Sequence, residues 1–271
     1  MIDARKYGPW ALIAGASEGT GRAYARQLAQ AGLSLILIAR RPGPLEALVA
    51  EIATEFNVEC VVGAIDLAKP DAFDRLLETV GEREVGLYIG NAGSDPNGSR
   101  FLDLDVQCWL DLVQRNVVNT IQCAHYFGGK MARRGRGGLL FVNSYGCYGG
   151  GSFIATYSAT KAAELCLAEG LWAELRPLGV SVLTLAMGVT DTPELRRLLA
   201  QTGRSGPGQM ADAEEVAAFG LANLENGPVQ NWALAEDEAG HLPNSAADRR
   251  RRVEMIDEST RSIFDSDGVS T

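Results

Sequence analysis

Short apolar runs alternate with amphipathic stretches along most of this 271-residue chain. Uninterrupted apolar runs are typical of parallel strands covered on both faces, whereas apolar residues three and four positions apart indicate helices. The runs occupy residues 11–14, 35–39, 58–65, 85–89, 139–142, 180–185 and 232–235. The alternation predicts an α/β fold in which a doubly wound parallel sheet of seven strands carries helices on both faces.

Two helical stretches carry apolar stripes with the period of an α-helix, and each stripe is predicted to face the sheet. The shorter stripe comprises Phe73, Leu76, Leu77 and Val80, and the longer one comprises Val106, Leu110, Val113, Val117 and Ile121.

Apolar residues outside these stripes indicate a surface that packs against another chain. Leu112 lies off the longer stripe. A helix that packs only on its own sheet needs one apolar stripe, so the surplus predicts a homodimer or homotetramer built from the helices near 106–132 and 157–176. The alternative is a monomer whose segment 246–264 folds back over this surface. The apolar residues spread around the second helix are Leu165, Leu167, Leu171, Trp172 and Leu175.

The composition limits the classes of function. The formal net charge is −9, from 25 basic and 34 acidic residues, so the chain lacks the basic surface that gathers nucleic acids or anionic membranes. The first residues lack the apolar stretch of a signal peptide and no run is long enough to span a bilayer, which predicts a cytoplasmic protein without a membrane partner. One domain is predicted over residues 1–240, followed by a polar tail over residues 241–271 with one helix at 246–264.

The positions of cysteine and histidine argue against disulfides and metal sites. The five cysteines are an odd number without C-x-x-C spacing, and several lie in apolar runs. Neither His125 nor His241 has a second ligand four residues away or a cysteine pair nearby. We therefore expect chemistry that needs no metal.

Several polar and glycine motifs follow one another in a fixed order. A glycine loop after the first strand is followed by Asn91-Ala92-Gly93, then Asn116, then Ser144, and thirteen residues later by the pair Tyr157 and Lys161. This combination resembles the short-chain dehydrogenase/reductase family between about residues 9 and 238, nearest the branch of hydroxysteroid dehydrogenases and long-chain 3-oxoacyl reductases. The resemblance implies a Rossmann fold and the catalytic residues Asn116, Ser144, Tyr157 and Lys161.

These residue types suit the reduction of a ketone, which requires a hydride and a proton donor within hydrogen-bond reach of the carbonyl oxygen. Tyr157 is the expected donor. Because a free phenol has a pKa near ~10, a neighbouring cation is needed to favour the phenolate, and Lys161 lies four residues on along the same helical face. Ser144 is expected to hold and polarise the carbonyl oxygen, and the resemblance implies that Asn116 positions a water that links Lys161 to solvent.

The glycine loop and the end of the second strand predict the cofactor. Gly15, Gly19 and Gly21 let backbone N–H groups approach a pyrophosphate at a helix N-terminus. Arg40 stands where an acidic residue would bind the adenosine ribose, which favours NADP(H) over NAD(H). Glu18 opposes this choice because a carboxylate repels a phosphate. The full set of expected cofactor contacts is Gly15, Ser17, Glu18, Gly19, Thr20, Gly21, Arg40, Asp66, Leu67, Asn91, Ala92, Gly93, Tyr157, Lys161, Gly188, Thr190 and Thr192.

Two of these contacts depart from the family or admit another interpretation. The family's Pro-Gly motif becomes Met187-Gly188, which leaves the local turn geometry open. Asp66 resembles an adenine-contacting aspartate, and the alternative is a helix N-cap.

Aromatic, glycine and apolar residues surround the expected substrate position, which suits a bulky apolar ketone or secondary alcohol that is steroid-like, cyclic or 3-oxoacyl. The expected pocket residues are Tyr145, Gly146, Cys147, Phe153 and Met187. Two alternatives remain open: an NAD-dependent alcohol dehydrogenase that acts oxidatively, and a non-catalytic dinucleotide sensor.

Overall fold

The computed structural model describes residues 2–202 and 210–232. Within them, seven parallel strands form one sheet in the order β3-β2-β1-β4-β5-β6-β7. The chain thus builds the sheet outward from β1 in one direction and then from β4 in the other. The predicted doubly wound, seven-stranded, single-domain fold is confirmed. The strands are β1 (Trp10–Ala14), β2 (Ser34–Ala39), β3 (Cys60–Ala64), β4 (Val85–Gly90), β5 (Gly137–Ser144), β6 (Val180–Met187) and β7 (Val229–Asn231).

Helices cover both faces of the sheet. None of them, within residues 2–202 and 210–232, has the length and apolarity needed to cross a bilayer. A π-helical turn, Gln114–Val118, joins two helices, and 3₁₀ turns occupy Tyr145–Tyr148 and Arg176–Leu178. The helices are α1 (Ala4–Tyr7), α2 (Gly19–Gln30), α3 (Pro42–Glu55), α4 (Ala72–Val80), α5 (Val106–Val113), α6 (Asn119–Arg134), α7 (Ala155–Leu175), α8 (Pro193–Thr202) and α9 (Ala213–Ala222).

Two hydrophobic layers hold the helices to the sheet. One contains residues of α2, α3 and α9, such as Leu28 and Leu48, packed with strand residues such as Leu37. The other contains residues of α4, α6 and α7, including Phe127, which stacks on Tyr88 of β4 at 5.8 Å between ring centroids. Truncating such a buried Phe to Ala typically lowers the free energy of unfolding by about 3–5 kcal/mol. Packing of this strength holds the strands, and therefore the strand ends that carry the site, in fixed positions.

The longer predicted stripe faces away from the sheet, and the prediction about its orientation is wrong. Val106, Leu110 and Ile121 are 62%, 52% and 47% exposed, whereas Leu112, which was expected at a partner surface, is buried in the core with 1% exposure. The reason is that the inward face of this segment carries buried polar side chains, of which Asn116 donates to Gly93 O and Asn119 donates to Leu67 O. Its buried polar residues are Asn116, Asn119 and Thr120.

The apolar residues of α7 are half-buried rather than fully outward. Leu171, Trp172 and Leu175 pack against the second hydrophobic layer. The outer positions of this helix are occupied mainly by small residues such as Ala159, Ala162 and Gly170. The prediction that the shorter stripe faces the sheet is correct for Leu76 and Val80 of α4, which are buried.

The seventh strand begins earlier than predicted. β7 ends at Asn231, Trp232 lies in a turn, and residues 233–235 fall outside the described residues. An edge strand buries little side-chain surface, so Val229, Gln230 and Asn231 give no apolar run. The predicted domain boundary at residue 240 and the predicted helix at 246–264 also lie outside the described residues.

Candidate active site

A cleft of about 750 Å³ opens at the carboxyl ends of the strands. The strand order reverses between β1 and β4, the place where open α/β sheets bind ligands. The cleft brings together most of the predicted cofactor residues: Gly15, Ser17, Glu18, Gly19, Thr20, Arg40, Leu67, Asn91, Ala92, Gly93, Tyr157, Lys161, Gly188, Thr190 and Thr192.

The glycine loop forms the floor of this cleft. Gly15 has a φ of +84°, and a Cβ there would lie 2.8 Å from the backbone nitrogen of Ala92. Gly21 does not line the cleft; a Cβ at this position would overlap the carbonyl oxygen of Gly15, so its role is to let α2 pack against the loop. Asn91 fastens the loop to β4, since its Nδ2 donates to Gly15 O at 2.8 Å and its Oδ1 accepts from the Thr20 hydroxyl at 2.7 Å.

The N-terminus of α2 suits an anion. Its N-cap residue, Glu18, makes no side-chain capping bond, which leaves the N–H groups of the first turn without a cap from that residue. Such a helix end attracts phosphate through both the N–H donors and the helix dipole. The uncapped helix and the glycine floor therefore fit the pyrophosphate of a dinucleotide.

The inner end of the cleft, comprising Ser144, Tyr157 and Lys161, gathers the predicted proton-transfer groups, and the buried Glu164, which does not line the cleft, contacts Lys161. Ser144 closes β5, and its Oγ accepts from the Gly146 N–H at 3.2 Å. The Tyr157 ring edge and the Ser144 Oγ lie 3.5 and 3.6 Å from the point that a Cβ on Gly146 would occupy. Lys161 Nζ donates to Val142 O and to Glu164 Oε2, each at 2.8 Å.

The ionisation of Tyr157 and Lys161 reflects burial as well as charge. Burial raises the pKa of Tyr157, and although Lys161 and the Ser144 hydroxyl lower it, the pKa stays above its ordinary value. Burial alone would lower the pKa of Lys161, but Glu164 and Tyr157 raise it above the ordinary value. The cation expected to favour the phenolate is therefore present, yet desolvation outweighs it in this state.

Asn116 lies behind the cleft wall in the π-helical turn Gln114–Val118 and does not line the cleft. Its Nδ2 donates to Gly93 O at 3.2 Å and to Thr160 Oγ1 at 3.0 Å. Its Oδ1 is buried and accepts no hydrogen bond from the described residues. A buried acceptor left open in this way fits the water that the family resemblance implies.

The outer end of the cleft, comprising Glu18, Arg40, Arg41 and Arg197, carries exposed charges. Glu18 contacts Arg41 at 2.5 Å and Arg197 at 2.5 Å. Hydrogen bonds from Arg197 and from Arg41 hold the pKa of Glu18 below its ordinary value, although burial opposes them. Arg41 and Arg197 therefore neutralise Glu18, the carboxylate that was expected to repel the 2′-phosphate of NADP. Arg40 makes no ion pair with any residue in 2–202 or 210–232.

Charged residues in and beside the cleft are missing from the predicted set, among them Arg197, Arg115 and Glu164. Arg197 meets Glu18 across 179 positions, which no local pattern reveals. Arg115 lines the cleft beside Asn116 and close to Arg40, and burial followed by the charge of Arg40 lowers its pKa. Glu164 follows Lys161 at helical spacing, but the spacing gives no indication that both are buried.

Three predicted cofactor residues, Asp66, Thr190 and Thr192, form hydrogen bonds within the protein. The Asp66 carboxylate accepts from the Ala68 N–H at 3.1 Å in the turn after β3 and does not line the cleft. It is not a helix N-cap either, because Asp71 is the N-cap of α4. Thr190 donates to Gly188 O at 3.2 Å, and the Thr192 hydroxyl accepts from the Leu195 N–H at 3.3 Å. Both threonine hydroxyls thus stabilise the segment after β6.

Two of the five expected substrate-pocket residues lie outside the cleft. Tyr145, Gly146 and Met187 line it, but Cys147 and Phe153 do not. The 3₁₀ turn directs Cys147 into the interior, where burial raises its pKa to about 12. Phe153 has a φ of +68° and its ring packs 5.5 Å from the guanidinium of Arg100. The wall is completed instead by apolar residues that include Ile154, Val189, Leu195 and Leu198.

Two proteins are similar in sequence to about two thirds of this chain. A very-long-chain 3-oxoacyl-CoA reductase of Laccaria bicolor is 34% identical over 180 residues, which are 65% of this chain and 53% of that protein. A 7β-hydroxysteroid dehydrogenase of Clostridium sardiniense is 31% identical over 188 residues, which are 69% of this chain and 72% of that protein. The chain therefore spans only about half of the length of the first relative.

A solved structure and a family model lead to the same assignment. A short-chain dehydrogenase from Sphingobium yanoikuyae in complex with NADPH superposes with a TM-score of 0.77 and 26% identity, over 92% of this chain and 96% of that one. The model of the short chain dehydrogenase family matches residues 9–203. The predicted resemblance is confirmed, and this chain belongs to the short-chain dehydrogenase/reductase family of oxidoreductases.

Proposed function

We propose that this chain reduces a bulky apolar ketone with NADPH and oxidises the corresponding secondary alcohol with NADP⁺ in the reverse direction. The observation that carries the proposal is the convergence of Ser144, Tyr157 and Lys161 on the wall of a cleft whose floor is the glycine loop. The names of the relatives, a 3-oxoacyl-CoA reductase and a hydroxysteroid dehydrogenase, support the same reaction class.

Each residue of the inner end has a separate role in the proposed reaction. The nicotinamide supplies the hydride when the cofactor is bound. The Ser144 hydroxyl donates to the substrate's carbonyl oxygen, and Tyr157 transfers its phenolic proton to that oxygen as negative charge develops there. Lys161 stabilises the phenolate left behind, and Asn116 holds the water through which the proton is replaced.

The apolar side of the cleft supports a substrate with a large hydrocarbon body. Ile154, Met187, Val189, Leu195 and Leu198 line it. Burying apolar substrate surface contributes about 25 cal/mol per Å², so a steroid-like, cyclic or 3-oxoacyl ketone gains more binding energy here than a small or charged one.

The outer end supports NADP(H) over NAD(H). Arg40 is exposed at the lip of the cleft, and Glu18 is neutralised by Arg41 and Arg197. A guanidinium binds the 2′-phosphate by charge-assisted hydrogen bonds that an unphosphorylated ribose cannot form.

A substrate screen tests the reaction. Steroid ketones, cyclic ketones, 3-oxoacyl thioesters and small aliphatic ketones are each mixed with NADPH or NADH, and loss of reduced-nicotinamide absorbance is followed. We expect the highest kcat/KM with a bulky ketone and NADPH, and no turnover by Tyr157→Phe. Preference for NADH with net alcohol oxidation would favour the oxidative alternative. Binding of NADPH without turnover of any ketone or alcohol would favour a dinucleotide sensor.

We also propose that the chain forms a homodimer or homotetramer through the outer faces of α5, α6 and α7. Exposed apolar side chains on this surface support it, among them Val106, Leu110 and Ile121. Light scattering at micromolar concentration should give a multiple of 28.9 kDa, and Ile121→Glu should lower it. A wild-type mass near 28.9 kDa would reject the oligomer.

A further inference from the structure

A buried carboxylate that the proposed reaction does not use contacts the inner end of the cleft through Lys161. Glu164 lies three residues after Lys161 on α7, and its Oε2 is 2.8 Å from the Lys161 ammonium. The two side chains are only 2% and 3% exposed. Every other ion pair between described residues exposes at least a fifth of both side chains.

Stability alone gives no reason for this pair. Removing two charges from water is so unfavourable that a buried ion pair is often no more stabilising than apolar residues of the same size. The pair must therefore be explained by what it does to the groups around it, and the nearest of these is the Tyr157–Lys161 motif.

The contacts of Lys161 show how Glu164 holds it. An ammonium has three N–H donors. The described residues accept two of them, at Val142 O and at Glu164 Oε2. Gly93 leaves room for the amine, because a Cβ at that position would lie 2.9 Å from Nζ. The ammonium is thus fixed at the cleft wall with one donor left for a bound molecule.

The charge of Glu164 also reaches Tyr157. Lys161 lowers the pKa of the Tyr157 phenol, and Glu164 raises it. The other titratable groups that face this cluster are Tyr88 of β4, Cys147 of the 3₁₀ turn and Asp95 of the loop after β4. Burial raises the pKa of Tyr88 and of Cys147, which keeps both neutral near pH 7, so Glu164 is the group that balances Lys161 most directly.

We propose that Glu164 is a positioning residue for the proposed reductase: its carboxylate fixes the Lys161 ammonium at the cleft wall and offsets the positive charge that Lys161 exerts on Tyr157. This inference rests on the proposed function. Glu164 thereby sets the pH range in which the Tyr157 phenol and the Lys161 ammonium both remain protonated.

The direction of the pH effect follows from the charge that is removed. In Glu164→Gln a negative charge is lost, which makes it easier for either Tyr157 or Lys161 to release a proton. The two groups titrate as a pair, so the first proton leaves at lower pH whichever group gives it up. Ketone reduction needs both protons, and its alkaline limb should therefore move to lower pH by about one unit or more.

The kinetic experiment compares pH profiles of kcat and kcat/KM for ketone reduction. We expect the shift in Glu164→Gln and in Glu164→Leu, two neutral side chains of similar size, and a limb near its wild-type position in Glu164→Asp. If one of the two neutral variants fails to fold, the other still provides the test. A profile that drops equally at every pH would mean a merely structural role and would overturn the proposal, as would a profile that superposes on the wild type.

A spectroscopic titration separates this proposal from the proposed reaction. The ultraviolet difference spectrum of tyrosine ionisation is recorded with pH for the wild type and Glu164→Gln, and the same pair on a Tyr157→Phe background is subtracted. An earlier Tyr157 transition in Glu164→Gln supports the proposal even if no ketone is turned over. An unchanged transition, together with unchanged kinetics, sinks it.

Discussion

Both ends of the cleft carry ion pairs, but the pairs differ in their access to water. At the outer end, Glu18 is 23% exposed and its partners Arg41 and Arg197 are 50% and 42% exposed. Salt screens such pairs and their net contribution to stability is small. At the inner end, Lys161 and Glu164 are almost completely buried.

This difference separates two tasks within one cleft. Exposed arginines can exchange Glu18 for a phosphate with little desolvation, so the outer end is suited to choosing a cofactor. Buried charges act on their neighbours at low dielectric, so the inner end is suited to controlling proton positions. Changes at the inner end should therefore alter rates and stability by large factors, and changes at the outer end should alter affinities by small, salt-dependent ones.

The largest effect is expected from Tyr157→Phe. Loss of the hydroxyl removes the proton donor while the ring is kept, so kcat should fall by about 10²–10⁴-fold with NADPH affinity almost unchanged. Steady-state kinetics and a fluorescence titration with NADPH measure the two quantities. Tyr148→Phe is a matched control, since Tyr148 lies in the adjoining 3₁₀ turn and bonds Asn231 at 2.7 Å. Retention of more than about a tenth of kcat would show that the donor is misassigned.

Lys161→Met should damage stability as well as turnover. It leaves Glu164 buried without its cation, and breaking a buried pair costs about 3–5 kcal/mol. Burial raises the pKa of Glu164 and Lys161 lowers it, so without Lys161 the pKa rises further. The folded state then binds a proton that the unfolded state releases, and stability should fall as pH rises above the ordinary carboxyl range.

Thermal unfolding across a pH series measures this effect. The double variant Lys161→Met/Glu164→Met should lose the pH dependence, because neither charge remains. Wild-type stability of Lys161→Met at every pH would contradict the idea that the inner pair behaves as a buried one.

Arg40→Ala tests the outer end. Loss of a charge-assisted contact to the 2′-phosphate costs about 1.5–3 kcal/mol, so NADPH should bind about tenfold or more weakly while NADH changes little. Calorimetric titrations with both cofactors give the ratio. Arg196→Ala is the control, since Arg196 pairs with Asp191 outside the cleft lining. Equal affinity of the wild type for the two cofactors would remove the basis for this prediction.

The smallest effect is expected from Glu18→Gln. Releasing Arg41 and Arg197 from the carboxylate should tighten NADPH binding several-fold at low salt and hardly at all near 1 M, where the Debye length is only about 3 Å. Binding titrations at the two salt concentrations measure the difference. A gain that persists at high salt would mean that the outer charges are less exposed to solvent than their accessibility implies.

The elements and the inner-end motif could be predicted because they depend on local spacing. Ser144 ends a buried strand, and Tyr157 and Lys161 lie one turn apart on a helix, so short-range pattern places them at one edge of the sheet. Strands β1 to β6 follow from apolar runs in the same way. β7 is the exception because an edge strand buries too little surface to need such a run.

Other features depend on tertiary contacts that local pattern does not encode. The stripe through Val106 and Ile121 was expected inside, but that helix face is exposed because Asn116 and Asn119 need the inner face for their hydrogen bonds to Gly93 O and Leu67 O. The pattern of apolar residues predicts the wrong buried face of a helix where a site requires polar side chains in the core. The meeting of Glu18 with Arg197 across the cleft is equally invisible to local pattern.

The π-helical turn at Gln114–Val118 constrains which changes of length the chain can tolerate in evolution. Such a turn holds one residue more than the α-helix around it. Deleting that residue would rotate one half of the joined helices relative to the other by about 100°. Either Trp109 and Leu112 would leave the core, or Asn116 would lose Gly93. A homologue with a one-residue gap at this point should therefore have lost the buried contact between this asparagine and Gly93 O, even where the asparagine itself is retained.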